Sequence, residues 1–490
     1  MSSSEGTGGG PAGMRTAPRG PSCVVIIGGG LSGAAVAWHL ARRTRPGEIR
    51  IIIVEPRAEL GRGLAYATPD PDHRLNVPER KMSLDASDPL HFQRWLLSRE
   101  GPGVPHGACT AEGEAFVPRE IFGRYVAHHL RPLLESGRVE HLRAQATGVR
   151  QRGKGYAVRL DGGGEVVADR VVLAVAHPAP AVPGALAAFR DDPRLVADAY
   201  GCNALSAIAP SDRVLIVGSG LTGADVVATL RRCSHRASIH MLSRHGRRSQ
   251  PHGPAQSPTS ADFTQPRETR AVGLLRRVRR ELERDAQAGR TWHAVFDRLR
   301  EQGPRIWAAL PWPERRRVVR HLRGLWDIHR FRIAPQTYQA LQSEIAAGRL
   351  EPLAGRLVSA QSVGASIAVR IALRGGASPV LDVERIVIAT GPAHGSVIAA
   401  NPVLKDLAAQ GLLQSDPLGL GLWTSPQGVV LDRYGVEQPN LLVAGPLARG
   451  SVGELMGVPE VTAWAEAIAA RVAGAPAEAP GVHPIPAGTP

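Results

Sequence analysis

Lysine is nearly missing from this 490-residue chain: Lys81, Lys154 and Lys405 are the only three, so almost all of its 59 basic residues are arginine. Aromatics are scarce at 4%. The four cysteines, Cys23, Cys109, Cys202 and Cys233, form no Cys-x-x-Cys pair. That excludes a zinc ribbon and a redox dithiol, and no metal site is expected. Long apolar runs are also absent. The best candidate, Val24 to Leu40, is broken by Gly28, Gly29, Gly30 and Gly33 and ends beside Arg42 and Arg43. The first residues are Ser, Gly and Pro without an apolar stretch, so 1–21 reads as a disordered tail and not a signal peptide. A second such tail is expected over 475–490. These absences describe a soluble, cytoplasmic protein with no membrane attachment.

The 43% hydrophobic content is enough for sizeable cores, and the length suits two to four domains. Formal net charge is +15, much of it local: residues 265–335 carry 18 arginines against 8 acids. A basic segment can bind nucleic acid. Here the aromatics fall at helical spacings and no recognition module is visible, which argues against it. A solvated helical face or a site for small anions remains.

The chain says one thing twice. Val24 to Ile27 is a buried-strand run followed by Gly28-Gly29-Gly30-Leu31-Ser32-Gly33, a helical stretch, and a strand ending at Glu55. Arg213 to Val217 leads into Gly218-Ser219-Gly220-Leu221-Thr222-Gly223, a helix, and a strand ending at Ser243-Arg244. Each copy is followed by short alternating strands and an apolar strand that closes on small residues, Ala174-Val175-Ala176 in one and Thr390-Gly391-Pro392 in the other. The fold class is therefore α/β, with two Rossmann-like dinucleotide-binding domains and an inserted helical subdomain. The boundaries run 22–185 and 393–474 for the first domain, 186–265 and 346–392 for the second, and 266–345 for the insert. The insert shows three apolar stripes, beginning at Leu274, Trp292 and Val318.

Glycines at this spacing let backbone approach a pyrophosphate at a helix N-terminus. Gly28, Gly30 and Gly33 are assigned to one nucleotide, Gly218, Gly220 and Gly223 to the other. Glu55 can accept hydrogen bonds from an unphosphorylated ribose, as in FAD. Arg244, with Ser243 beside it and Arg247 and Arg248 behind, suits a 2′-phosphate, so the second cofactor is expected to be NADPH. With FAD and NADPH together, hydride passes to flavin; with no dithiol, the electrons leave to oxygen, a small oxidant or a protein.

Several segments then resemble one group. They are Gly61-Arg62-Gly63-Leu64-Ala65-Tyr66, His73-Arg74-Leu75-Asn76-Val77-Pro78, Asp88 to Leu96, Leu242-Ser243-Arg244-His245-Gly246, Trp326 to Pro335, and Val458-Pro459-Glu460. Through them the chain resembles bacterial FAD/NAD(P)-binding proteins related to class B flavin monooxygenases. Within that group it resembles the L-aspartate N-hydroxylases that form nitrosuccinate. The resemblance implies oxidation of an amino-acid amine by O2, with Asn76, Gly391 and Gly445 near the cofactors. Two departures stand out. An Ala-Thr-Gly-like turn reads Ala174-Val175-Ala176, and a late Gly-Asp reads Gly445-Pro446, which removes a carboxylate.

An acidic substrate would be held by arginine, whose planar fork grips carboxylates. Arg62, Arg330 and Arg332 are the candidates. The alternative for Arg330 and Arg332 is pairing with protein acids or with NADPH phosphates. Trp326, His177 and His329 are expected to be structural. A flavin reductase, another class B-type monooxygenase and a nucleotide-binding regulatory protein with a basic partner-binding insert are the other readings. Oligomeric state stays open, a homodimer included.

Overall fold

The computed structural model describes residues 21–201 and 203–474. The expected tails, but for residue 21, and Cys202 lie outside them. The chain opens with β1 (Ser22–Ile27), α1 (Leu31–Arg43), β2 (Ile49–Val54), α2 (His91–Leu97), α3 (Arg119–Glu135) and β3 (Val139–Leu142). A three-stranded antiparallel sheet follows, β4 (Ala146–Arg152), β5 (Gly155–Leu160) and β6 (Glu165–Ala168). Strand β7 (Arg170–Leu173) then returns beside β1. Val24, Val25 and Ile26 are fully buried, as a central parallel strand covered on both faces requires.

The second unit comprises β8 (Leu195–Val196), β9 (Val214–Val217), α4 (Leu221–Arg232) and β10 (Ile239–Ser243). Then come six helices: α5 (Ala271–Gln287), α6 (Trp292–Glu301), α7 (Gly303–Ala309), α8 (Trp312–His321), α9 (Arg323–Arg330) and α10 (Pro335–Ala346). Strands β11 (Leu350–Val363), β12 (Ser366–Leu373), β13 (Val380–Val383) and β14 (Arg385–Ile388) complete it. The sheet order is β13-β12-β11-β10-β9-β14-β8. The long β11 thus carries its meander within the main sheet, whereas β4–β6 form a sheet of their own.

The chain returns to the first unit through α11 (Val397–Ala400), α12 (Pro402–Ala409), β15 (Val429–Leu431), β16 (Glu437–Val443), α13 (Arg449–Val452) and α14 (Val458–Val472). Its sheet reads β15-β16-β7-β1-β2-β3, so late strands complete an early sheet. Helix α14 lies against α1, burying Trp464 and Ile468.

The insert has a small core of Ala261, Phe263, Val295, Leu299 and Ile306, with Leu274, Val278 and Leu282 packed on it. The stripe read from Val318 to Trp326 is divided between α8 and α9. Helix α10 belongs elsewhere: Ile333 just before it and its Leu341 enter the core of the second unit with Val226 and Met241. No helix among the described residues is long and apolar enough to cross a membrane.

Candidate active site

Both glycine loops lie between a parallel strand and the N-terminus of a helix. Gly28 adopts φ +104° and Gly218 φ +123°, conformations that favour glycine. A Cβ at Gly28 would meet the Ala174 carbonyl oxygen at 2.5 Å, and one at Gly223 would meet the Gly218 oxygen at 2.6 Å. A Cβ at Gly33 would come closer still to the Gly28 carbonyl oxygen. The middle glycines are different. A Cβ at Gly30 would touch only Gly63, at 3.3 Å, and at Gly220 it would meet nothing. The space over each middle glycine is therefore open. Helices α1 and α4 begin with Gly30 and Gly220 as N-caps, have no side-chain cap, and carry no acid in the first turn. Their first N–H groups lack that side-chain partner, the arrangement that receives a phosphate.

The strand ends differ as their sequences do. Glu55 is buried; its Oε2 accepts from the Gly29 N–H at 2.9 Å and its Oε1 from the Arg57 N–H at 3.1 Å. Arg244 is exposed and, like Arg247, has no carboxylate within ion-pair distance among the described residues. The Ser219 hydroxyl ties the Arg247 carbonyl to the second glycine loop at 2.5 Å. Arg374 donates to His245 at 3.2 Å. Partial desolvation, then Arg374, Arg247, Arg244 and Arg356, lower the pKa of His245. Four guanidinium groups thus gather at this strand end. Arg356 and Arg374 come from β11 and the turn after β12, more than a hundred residues along, which sequence spacing could not reveal. Gly391 (φ +77°) and Gly445 (φ +87°) lie in the turns that follow β14 and β16. A Cβ at Gly445 would strike Ser32.

A pocket lies between the units, lined by Asn76, Val77, Lys81, His252, Phe296, Asp297, Arg300, His329, Arg330 and Arg332. Arg330 and Arg332 are there, but their charges are engaged. Arg330 donates from Nε to Glu454 at 3.0 Å, and its Nη2 lies 2.9 Å from Glu454 and 3.4 Å from Glu460. Its side chain is 5% exposed. Arg332 holds both oxygens of Asp297, at 2.7 and 3.3 Å, and lies over the Trp292 ring. Arg62 is paired with Glu59 at 3.1 Å and more loosely with Glu120. Pairing with protein acids, the alternative left open above for Arg330 and Arg332, is what the structure contains, so neither is a free carboxylate receptor.

Burial and then Arg300 pull the Arg330 guanidinium below its ordinary pKa. Arg300 donates to Glu460 at 2.6 Å through Nε alone. The Glu460 carboxyl stays well below the usual range, burial notwithstanding, because Arg300 and Arg330 face it. These contacts fasten α6 and α9 of the insert to the start of α14. Trp307 adds a hydrogen bond to the Gly450 carbonyl at 3.0 Å.

The group that sequence reasoning missed is Lys81. Its ammonium has no carboxylate within ion-pair distance among the described residues, and burial lowers its pKa. The signal was its rarity: one of three lysines in an arginine-rich chain. His252 donates from Nε2 to the Asn76 carbonyl at 2.9 Å; burial takes its pKa down to about 4. His329 stacks on Phe296 at 4.5 Å and bonds to the Leu325 carbonyl, a structural role. Trp326 is half-buried and bonds to Glu454 at 3.3 Å. His177 and His394 meet edge-to-face at 4.7 Å where the chain leaves and re-enters the first unit.

The FAD-NAD(P)-binding family profile matches residues 25–178. This is an FAD/NAD(P)-binding flavoprotein fold. The profile of the L-lysine 6-monooxygenase/L-ornithine 5-monooxygenase family matches residues 110–298. Among solved structures, L-lysine 6-monooxygenase from Pseudomonas syringae superposes with a TM-score of 0.61 at 18% identity, covering 92% of this chain and 98% of that one. The cadaverine monooxygenase DfoA from Erwinia amylovora, bound to FAD, gives 0.60 at 14%, covering 95% and 99%. Ornithine hydroxylase PvdA from Pseudomonas aeruginosa, in its reduced form, gives 0.58 at 15%, covering 92% and 98%. No curated protein matches the sequence. The chain has the fold of flavin-dependent N-hydroxylating monooxygenases, and the two profile matches take in the first and the second glycine loop respectively.

Proposed function

We propose that the protein is an FAD- and NADPH-dependent N-monooxygenase acting on the amine of an acidic amino acid, with L-aspartate oxidised to its N-hydroxy derivative and on to nitrosuccinate. One observation carries the acidic-substrate reading. The pocket between the units is lined by four cationic side chains, Lys81, Arg300, Arg330 and Arg332, and by one carboxylate, Asp297, which Arg332 already holds. A cationic tail such as that of lysine, ornithine or cadaverine would find no free anion there. A dicarboxylate would find the unpaired Lys81 ammonium and the two Nη groups of Arg300, which have no hydrogen-bond partner among the described residues.

The residues fit the two nucleotides. Gly28, Gly30, Gly33 and Glu55 would hold FAD; Gly218, Gly220, Gly223, Ser243, Arg244 and Arg247 would hold NADPH, with Arg244 on the 2′-phosphate. Bound FAD, reduced by the nicotinamide, supplies the activation of oxygen. The chain's own contribution is positioning and protonation state. Lys81 and Arg300 would anchor the two carboxylates, and Asn76 would border the amine. Nearby cations disfavour a second positive charge, so the same groups keep the amine neutral and nucleophilic. The insert, clamped by Arg300 and Arg330, covers the cleft and limits water.

The test is oxygen and NADPH consumption with mass analysis of product over aspartate, glutamate, ornithine, lysine and cadaverine. Aspartate should yield N-oxidised product, with Lys81→Met raising KM while NADPH oxidation persists. Efficient oxidation of a diamine with none from aspartate would overturn the acidic-substrate reading.

A further inference from the structure

Helix α4 starts at the second glycine loop and is fastened along its length to the FAD unit. Asp225, Thr229 and Arg232 stand at i, i+4 and i+7, so they share one face of the helix. Asp225 and Thr229 are buried. Each of the three has a partner on the FAD unit.

Arg119, the first residue of α3, reaches Asp225 at 2.8 Å, with side chains 13% and 6% exposed. The Tyr200 hydroxyl lies between them. It accepts from Arg119 at 3.1 Å, donates to Asp225 at 2.5 Å, and stands 3.4 Å from the Thr222 hydroxyl in the first turn of α4. Burial and then Asp225 push that hydroxyl up to about 12, so it remains a donor. Burial opposes the Arg119 charge, but Asp225 and then Tyr200 hold its pKa above the ordinary value.

One turn on, a second chain of bonds crosses the same seam. The Thr68 hydroxyl donates to His73 Nδ1 at 2.7 Å, His73 Nε2 donates to Thr229 at 3.0 Å, and the Thr229 hydroxyl donates to Asp70 at 2.7 Å. Burial lowers the pKa of His73, and a neutral ring is what this order of donors requires. Arg232 closes the row on Asp70 at 2.7 Å and Asp72 at 3.4 Å. The row spans about 10 Å of helix axis.

A buried ion pair adds little net stability, because desolvation offsets its attraction; what it can fix is register. Two units joined by two crossings of the chain would by default rock against each other. Here a slip of α4 by one turn, about 5.4 Å, either strands Arg119 opposite Thr229 or sets Asp225 against Asp70.

We propose that Arg119, Asp225 and Tyr200, backed by His73, Thr229 and Arg232, are positioning residues for flavin reduction: they hold α4, and with it the nucleotide at its N-terminus, in one register against the FAD unit. In that reduction NADPH gives up two electrons and a proton as hydride and the flavin takes them up, a transfer in which a misplacement of about 1 Å can cost on the order of a hundredfold. This role rests on the second loop's being the NADPH site and not on which amine is oxidised.

The test uses the FAD-loaded full chain. Arg119→Met/Asp225→Asn removes both charges together and leaves Tyr200 an acceptor, so it should fold with full flavin content and melt within about 4 °C of the wild type. In stopped flow, flavin reduction at saturating NADPH should slow at least about tenfold, while the Kd of NADP+ and the reoxidation of dithionite-reduced flavin by oxygen stay within about twofold. Tyr200→Phe keeps the ion pair, guards against a double variant that fails to fold, and should slow the same rate at least about threefold. A readout without turnover is the spacing of spin labels at Val167→Cys and Val358→Cys, both exposed and on strands β6 and β11, with the native cysteines replaced. Pulsed dipolar spectroscopy should give one narrow distance in the otherwise wild-type chain, with or without NADP+, and a broadened or displaced one in the double variant. Limiting rates of reduction unchanged in both variants would overturn the proposal, as would a label distance equally narrow and unmoved in the double variant. Weaker NADP+ binding with an unchanged limiting rate would make these residues part of the nucleotide site and overturn it too. If NADPH does not reduce the wild-type flavin, the cofactor reading fails, and the label distances alone decide whether the seam is fixed.

Discussion

Removing Arg330 should unfasten the insert before it affects any substrate. Arg330→Met keeps the length of the side chain and deletes the fork. Glu454 and Glu460, whose side chains are 8% and 13% exposed, then lose their shared cation, and Arg300 alone faces Glu460. Breaking a buried ion pair by removing one partner costs about 3–5 kcal/mol, because the other charge stays buried. At about 2–4 °C per kcal/mol for domains of 150–250 residues, the melting temperature should fall by roughly 6–20 °C. The double variant Arg330→Met/Glu454→Gln removes both charges and should recover at least about 1 kcal/mol of that loss. The assay is thermal unfolding of the FAD-loaded protein, followed by flavin fluorescence and by circular dichroism. If Arg330→Met melts with the wild type yet loses amine oxidation through a raised KM, Arg330 is a substrate ligand and the strut assignment is wrong.

The remaining expectations concern the cofactors and pH. Gly30→Val, whose Cβ would meet only Gly63, should fill the space over the first loop and purify folded with little FAD; full flavin content in the folded variant would refute that assignment. Gly220→Val, with nothing nearby to strike, should keep FAD and raise the KM for NADPH at least about tenfold, read by stopped-flow flavin reduction. Arg244→Ala should cost about 1.5–3 kcal/mol of preference for NADPH over NADH. Burial and then Arg449 bring His177 down to about 4 and His394 to about 3, and burial with its histidine neighbours brings His129 to about 4. These groups bind protons in the unfolded chain near pH 6.5 and not in the folded one, so stability should fall as pH drops from about 6.5 towards 4, by up to about 1.4 kcal/mol per pH unit for each. His129→Phe, in an aromatic cluster with Tyr125 and Trp95, should flatten that slope, and an unchanged pH profile of the melting temperature would count against it.

What sequence spacing revealed here is what backbone chemistry demands locally. A pyrophosphate needs glycine at three positions between a strand and a helix, so the loops at Gly28 and Gly218 were legible. So was the contrast between Glu55 and Arg244, because each lies at a strand end a fixed distance on. The bonds of Arg330 were not: its partners Glu454 and Glu460 are 124 and 130 residues away, and nothing local marks them. The same holds for Arg356 and Arg374, which reach the Arg244 site only through sheet register. Helical periodicity found the insert but ran α8 and α9 together, since no proline separates them. It also grouped α10 with the insert, because a stripe says that a face is buried and not against what. Lys81 shows a different limit: its lack of a partner is a property of the folded cleft, legible only once both walls are in place.

The proposed activity of this cleft is oxidation of the amine of an acidic amino acid. Its most direct test is product mass after turnover under oxygen-18 gas with NADPH, aspartate competing against ornithine, lysine and cadaverine at equal concentration. Label from oxygen gas is expected in N-oxidised aspartate, and much less of it in Lys81→Met, whose KM for aspartate is raised, while NADPH oxidation continues. Label in a diamine product with none in aspartate would contradict it.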